Sequence, residues 1–356
     1  MSPIHPPSSL KRLPFFHEML EYLAILGPDM AHDLSPTFQS AICKATGADA
    51  MEVVELIQEL WSGYGQIVRI QLDGGSADTV IAKHVRLPDR KNHPRGWNSS
   101  LSHERKLKSY QVEPIWYRDW SGRCDEHCRV AKFITEDRHD DDVLVLMEDL
   151  DAAGFPARHG GVSDGQLQAC LDWLAHFHAT FMCAKPDGLW ETGTYWHLET
   201  RPEELEVLDD LPLKNAAANI DELLSGARYQ TLVHGDAKLA NFCFSNDGVN
   251  VAAVDFQYVG GGCGMKDLAY FLGSCLDEAS CEAREGELLD RYFATLSKAL
   301  AAKQADIDAE EVELEWRTLF PVAWTDFHRF LKGWSPGHWK INSYSDRLAK
   351  QVLAAL

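Results

Sequence analysis

The sequence contains no apolar run of the roughly 18 residues that a membrane-spanning helix needs. Its first residues, "MSPIHPPSSLKRLPFF", have no apolar core ending in a small-residue cleavage site. These two absences predict a cytoplasmic protein without a membrane partner. Basic charge is also scarce. With 34 Lys+Arg against 54 Asp+Glu the formal net charge is −20, which disfavours nucleic acid as a partner. The same balance favours a cationic small molecule over a polyanion, or serves only to keep an acidic surface soluble. Paired cysteine spacing is missing: nine cysteines, an odd number, are scattered along the chain as expected of reduced thiols. "CDEHC" at 124–128 gathers two thiols and an imidazole, but no second cluster completes a four-ligand metal site, so a polar loop is the stronger reading. No low-complexity tract and no repeat of 20 to 50 residues is present, which excludes extended disorder and a solenoid.

What remains is a chain of 356 residues, 45% hydrophobic and 25% charged, long enough to divide into two lobes. "FFHEMLEYLAIL" and "MEVVELIQELW" carry apolar residues at three- and four-residue spacing and predict an N-terminal helical extension over 1–60. "GYGQIVRIQL" and "DTVIAKHV", joined by "DGGSA", read as an antiparallel hairpin, and "CRVAKFI" and "DVLVLMEDL" as two further strands. A sheet-rich unit is therefore expected over 61–150. After the Gly- and Pro-containing "DAAGFPARHGG" the pattern becomes mainly helical, so a larger lobe is expected over 151–356, with three short strands at "YQTLV", "NFCFS" and "VNVAAVDF".

The chemistry concentrates in "HGDAKLAN". Asp236, Lys238 and Asn241 stand at D-x-K-x-x-N, and fourteen residues further on Asp255 ends the apolar strand "VAAV". An amide and a carboxylate at neighbouring strand ends suit a hard cation such as Mg²⁺, which takes few protein oxygens and completes its shell with phosphate and water. Asp236 is placed to accept the proton of an attacking hydroxyl, and Lys238 to meet a γ-phosphate. That set fits phosphoryl transfer, in which positioning and charge neutralisation carry most of the catalysis. Upstream, Gly63 and Gly65 allow backbone amides to approach phosphates, and Lys83 follows in the next strand.

Together these residues resemble the protein-kinase-like fold in its small-molecule branch, with aminoglycoside phosphotransferases and choline kinases, and most of all the ecdysteroid-kinase-like group. The likeness rests on H-G-D-x-x-x-x-N at His234 to Asn241, on "DFQ" at 255–257 and on "MKDLAYFL", and it covers about residues 60 to 330. The resemblance implies an α+β, bilobal protein-kinase-like fold, with a small β-rich nucleotide-binding N-lobe and a larger, mostly helical catalytic C-lobe. It implies ATP and Mg²⁺ as cofactors, a small-molecule hydroxyl acceptor, and catalysis by Asp236, Lys238, Asn241 and Asp255, with Asn241 and Asp255 holding the metal. Backbone groups at Glu148, Asp149 and Leu150 would read the adenine, and Asp267 would brace the catalytic loop. The acidic partner of Lys83 is Glu113 in "VEPIWY" or Glu104 in "SHERKL"; because Pro114 follows it, Glu113 is expected at a helix start.

Several residues keep a plainer reading. His234 and His178 are expected as satisfied, packed histidines. "FPVAWTDFHRFLKGW" offers Trp324, Asp326 and His328 either to an acceptor pocket or, as a stripe at helical spacing, to the core. A nucleotide-binding regulator that has lost catalysis, a pseudokinase, is the alternative function. The presence of Lys83, Asp236, Asn241 and Asp255 disfavours it. Only eleven residues separate Asp255 from Asp267, too short a segment to position a peptide, which favours a small-molecule acceptor over a protein.

Overall fold

The computed structural model describes residues 34–60, 63–86 and 100–356; "FFHEMLEYLAIL" lies outside them. Helix α1 (Pro36–Thr46) is capped by Ser35, whose side chain accepts from the Phe38 amide, and ends at Gly47 in the left-handed region. Beneath it lies a five-stranded antiparallel sheet of β1 (Ala50–Glu59), β2 (Gly65–Asp73), β3 (Thr79–Arg86), β5 (Phe133–His139) and β6 (Asp142–Glu148), in the order β1-β2-β3-β6-β5.

Alternation along the strands decides what each face carries. Val68, Ile70, Val80, Ala82, Leu144 and Leu146 meet Phe38 and Ile42 of α1 in one cluster. Ile67, Val85 and Val143 point the other way, against Tyr110 of helix α2 (Ser100–Ile115). Lys83, two residues from Val85, shares that second face and so is turned towards α2.

Two expectations need correction here. "MEVVELIQE" is not helical but belongs to β1, so the helical extension over 1–60 gives way to the sheet at Ala50. The register of β1 against β2 slips at Val53/Glu55 and again at Leu56/Gln58. The residues packed against the core are then Met51, Val53 and Leu56, and the bulge converts a two-residue period into a spacing that imitates a helix. Glu113 stands at the end of α2 and not at its start. Pro114 lies in the last turn, and the chain then widens into a π turn, Trp116–Trp120, closed by the Ser121 amide on the Trp116 carbonyl. The wider turn re-pairs the backbone after a residue that has no amide hydrogen to give.

The second lobe is mostly helical: α3 (Asp164–Thr180), α4 (Pro202–Glu206), α5 (Leu211–Ser225), α6 (Met265–Cys275), α7 (Glu278–Lys303), α8 (Ala309–Trp334) and α9 (Ser343–Ala355). α3 opens on a capping box in which Ser163 and Gln166 bond reciprocally. The expected strand "CRVAKFI" divides: β4 (Arg129–Val130) joins β9 (Val251–Ala253) and β8 (Phe242–Phe244) in this lobe, while β5 begins at Phe133. β7 (Thr231–Val233) pairs with β10 (Gly260–Gly262). The α+β expectation, a β-rich lobe followed by a larger helical one, therefore describes the fold.

Trp116 ties α2 to the second lobe. Its fully buried ring stacks on Phe256 at 4.6 Å and meets Phe181 edge-on at 5.4 Å. Trp116→Ala is expected to cost about 3–5 kcal/mol of stability, read as a shift of the urea midpoint. The Trp116 Nε1 has no hydrogen-bond partner, so Trp116→Phe forfeits no bond and should lose less.

Candidate active site

β3 and α2 bring the first charged pair together. Lys83 Nζ lies 2.5 Å from Glu113 Oε2 and 3.7 Å from Asp255 Oδ1, and the Lys83 and Glu113 side chains are each 4% exposed. Glu104 is exposed and does not share this pair. Burial alone would lower the Lys83 pKa, but Glu113 and Asp255 outweigh it and hold the ammonium above its usual value. Burial pushes the Glu113 carboxyl up, against the pull of Lys83.

The connection from β7 to β8 is held from below by Asp267 of α6. Its fully buried carboxylate accepts the amides of His234 at 2.5 Å and Gly235 at 2.9 Å, and lies 3.2 Å from His178 Nε2. His178 Nδ1 meets the Tyr292 hydroxyl at 2.7 Å. His234 places Nε2 3.0 Å from the Val254 carbonyl while Nδ1 accepts the Asp236 amide at 3.2 Å, which assigns its proton to Nε2. Both histidines are thus engaged and packed. Gly235 has φ +80°, and a Cβ there would stand 2.1 Å from the Tyr258 carbonyl oxygen, so only glycine permits this turn.

Asp236 is 7% exposed. Its Oδ2 receives Lys238 Nζ at 2.7 Å and Asn241 Nδ2 at 3.1 Å, and the same Asn241 nitrogen donates to the Asp236 carbonyl at 2.7 Å. With its nitrogen committed, Asn241 has its amide oxygen left to offer a cation. Asp255 follows β9 with φ +69°, a left-handed conformation unusual for a residue with a Cβ. Its Oδ1 is buried without a hydrogen-bond partner. The two aspartates are pushed apart: burial raises Asp236, against Lys238 and with the Asp255 charge adding to it. Burial would raise Asp255 too, but Lys83, Lys238 and Lys106 outweigh it and hold that carboxyl below its usual value. Among the described residues no three His, Cys, Asp or Glu side chains form a metal-holding group, so a cation here would rest on Asp255 and the Asn241 oxygen, completed by oxygens from outside the protein.

The remaining expected contacts lie around this cleft. Gly63 and Gly65 occupy the turn from β1 to β2. The Gly63 amide already donates to the Leu60 carbonyl at 3.1 Å. Gly65 is required by the sheet, because a Cβ there would stand 2.0 Å from the His84 carbonyl oxygen. At the end of β6 the Glu148 amide and the carbonyls of Asp149 and Leu150 are engaged by Lys132, Ala153 and Phe155. The Asp149 carboxylate is occupied as well, accepting Arg69 Nε at 2.7 Å and Thr79 Oγ1 at 2.8 Å.

Sequence reasoning passed over three residues at the site. Lys106, seven residues before Glu113 on α2, reaches Gln257 Oε1 at 2.9 Å; its helical spacing from Glu113 was the available signal. Tyr270 lies within "MKDLAYFL", a motif that nominates Asp267 alone, and Lys340, after α8, belongs to a segment with no such motif. Trp324, Asp326 and His328 go to the core: Trp324 packs edge-on against Tyr344, Asp326 accepts Trp196 Nε1, and His328 faces Asp346. A cavity of about 240 Å³ lined by Pro186, Asp221, Gly261 and Lys266 opens elsewhere and does not include Asp236.

A family model described as "DUF1679: Uncharacterized oxidoreductase dhs-27" matches residues 206–327, a segment that contains Asp236, Asn241 and Asp255 and stops before Lys340. No curated protein matches the chain. Among solved structures it is similar to a microcompartment-associated aminopropanol kinase, at 15% identity and a TM-score of 0.47, covering 90% of this chain and 97% of that one. It is similar also to an aminoglycoside-3'-phosphotransferase of type VIII, at 15% identity and 0.40, covering 77% and 93%. A third is choline kinase from Cryptosporidium parvum Iowa II, at 10% and 0.47, covering 85% and 88%.

The Lys83–Glu113 pair can be tested as a pair. Removing one partner of a buried ion pair strands the other and costs about 3–5 kcal/mol. Lys83→Met and Glu113→Gln are each expected to lower the urea midpoint, and the double variant to lose clearly less than the sum. Additive losses would show that the two side chains do not interact.

Proposed function

We propose that this chain is an ATP- and Mg²⁺-dependent phosphotransferase that moves the γ-phosphate to a hydroxyl of a small organic molecule. The observation that carries the reading is the convergence of Lys83, Glu113, Asp236, Asn241 and Asp255, from four separate segments, on one cluster of charged and polar side chains. The orphaned Asp255 oxygen and the free Asn241 amide oxygen are hard donors of the kind Mg²⁺ takes. When bound, the metal neutralises phosphate charge and orients the transferred group.

Each side chain then has a distinct task. Lys83, held by Glu113, fixes the α- and β-phosphates. Asp236 accepts the acceptor's hydroxyl proton as that oxygen forms its bond to the γ-phosphorus and the bond to the leaving ADP oxygen breaks. Lys238, already 2.7 Å from Asp236, offsets charge on the transferred group. The opposite pKa directions of the two aspartates support the division of labour: a raised carboxyl suits a proton acceptor, a lowered one a permanently charged ligand. The oxidoreductase wording of the matching family model finds no support in residues 206–327, which contain no G-x-G-x-x-G dinucleotide fingerprint. The short path from Asp255 to Asp267, folded back through β10 onto β7, favours a small acceptor over a peptide.

Asp236→Asn is expected to lower ADP release on an accepted alcohol by on the order of 10²–10⁴-fold, and Asp255→Asn to abolish it, with melting temperatures showing both variants folded. Full turnover in either variant sinks the assignment. Stabilisation by Mg·ATP without ADP release on any alcohol, amino alcohol or sterol would favour the pseudokinase.

The pH profile is a second test. Asp236 works only when ionised, and its pKa lies above that of an ordinary aspartate. Activity should be complete above that raised value and lost as pH falls through it, so the acid limb of kcat/KM should sit above the usual aspartate range. A limb at or below that range would remove Asp236 from the role of base.

A further inference from the structure

Two half-buried lysines flank Asp236, and their surroundings sort them to opposite sides of it. The charges acting on Lys106 are Lys83, Asp255, Glu113 and Asp236, the nucleotide side of the cleft. Those acting on Lys340 are Asp236, Cys275 and Lys238, with neither Lys83 nor Asp255 among them. Lys340 is surrounded by rings: its Nζ stands 5.0 Å from the centre of Tyr270, 5.5 Å from Phe327 and 5.6 Å from Trp339. The Tyr195 amide donates to the Gly235 carbonyl at 3.2 Å and the Tyr195 ring meets Tyr270 edge-on at 5.6 Å, which brings this aromatic wall to the residue before the proton acceptor.

The wall is an aromatic cluster separate from the main core, formed by Trp196, Tyr270, Phe327 and Phe330. It continues outward through Trp334 and Trp339, which are 47% and 61% exposed. Exposed tryptophans beside a buried aromatic cluster mark a surface that receives an apolar body. Among the described residues Lys340 has no carboxylate within ion-pair distance, and burial holds its pKa down at about 8. Rings compensate a desolvated ammonium only in part. The group missing from this recess is an anion, and a cationic acceptor would add a second positive charge beside Lys340 and Lys238.

Resting on the phosphotransferase reading, we propose that the acceptor binds on the Lys340 side of Asp236 and is a hydroxy acid, its apolar body against Tyr270, Phe327 and Trp339 and its carboxylate on the Lys340 ammonium. This choice runs against the preference for cations that the net charge alone suggests. It is set by the charge at the site and not by the surface as a whole.

The test uses the full chain with Mg·ATP and three matched alcohols: 4-(hydroxymethyl)benzoate, its methyl ester, and 4-(aminomethyl)benzyl alcohol. ADP release should show the highest kcat/KM for the acid. Lys340→Met should reduce the acid-to-ester ratio of kcat/KM at least tenfold, and Lys340→Arg should restore most of it. A preference for the amine, or a Lys340→Met loss shared equally by acid and ester, overturns the proposal while leaving phosphoryl transfer intact. Calorimetric titration of the acid into Asp236→Asn, with and without Lys340→Met, reads binding apart from turnover; failure of the acid to bind, or binding indifferent to Lys340, also overturns it. Failure to bind Mg·ATP would instead sink the phosphotransferase reading itself.

Discussion

The buried charge cluster around Lys83 is the constraint on which the rest depends. Three ammonium groups, Lys83, Lys106 and Lys238, face three carboxylates, Glu113, Asp236 and Asp255, and each influences several others. Such a cluster survives desolvation because its charges balance; removal of any one member leaves an uncompensated charge in a poorly solvated cleft. Balance also limits what the cleft can accept. On the proposed reading, a polyphosphate would bring more negative charge than Lys106, which among the described residues has no carboxylate at ion-pair distance, can answer, so it would arrive with its own cation. The unsatisfied Asp255 oxygen is where the protein has room to meet that cation.

The backbone around the cluster is held in shapes that would not persist alone. Asp255 adopts a positive φ and Gly235 a turn that excludes any Cβ. Both are fixed from beneath: Asp267 takes two consecutive amides, His234 bridges Asp236 to Val254, and Phe256, next to Asp255, is stacked under Trp116. The aromatic core therefore does more than hold the lobes together. Trp116 follows Glu113 by three residues, so one contact seats the end of α2 and the loop carrying Asp255 on the same ring.

The catalytic candidates were legible because their chemistry is local. Asp236, Lys238 and Asn241 lie within six residues, and Asp255 ends a strand whose apolar run is plain in the sequence. The β2–β3 hairpin was legible for the same reason. β1 was not, because its two bulges break the alternation that identifies a strand. The place of Glu113 in its helix is not legible, because a proline inside a helix is costly and favours the start, while the π turn that accommodates it near the end leaves no mark in the sequence. Helix α8 illustrates a third limit: its stripe nominated Trp324, Asp326 and His328, yet the side chains that line the recess are Phe327 and Phe330, and only the packing of α6 and α9 decides between those faces.

The two sides of Asp236 differ in kind. On the side of Lys83 the charged groups answer one another, with Asp255 Oδ1 left without a hydrogen bond, and most of the residues come from compact motifs. On the other side the recess is assembled from Tyr270 on α6, Phe327 on α8 and a lysine in the connection to α9, with a single charge left unanswered. A site that must hold one fixed chemical group can satisfy itself within the fold, whereas a site that must choose among acceptors keeps its deciding group open until the ligand arrives. On the proposed reading Lys340 has that character: burial desolvates it and the Asp236 charge acts on it, so a carboxylate it held would lie beside the proposed base.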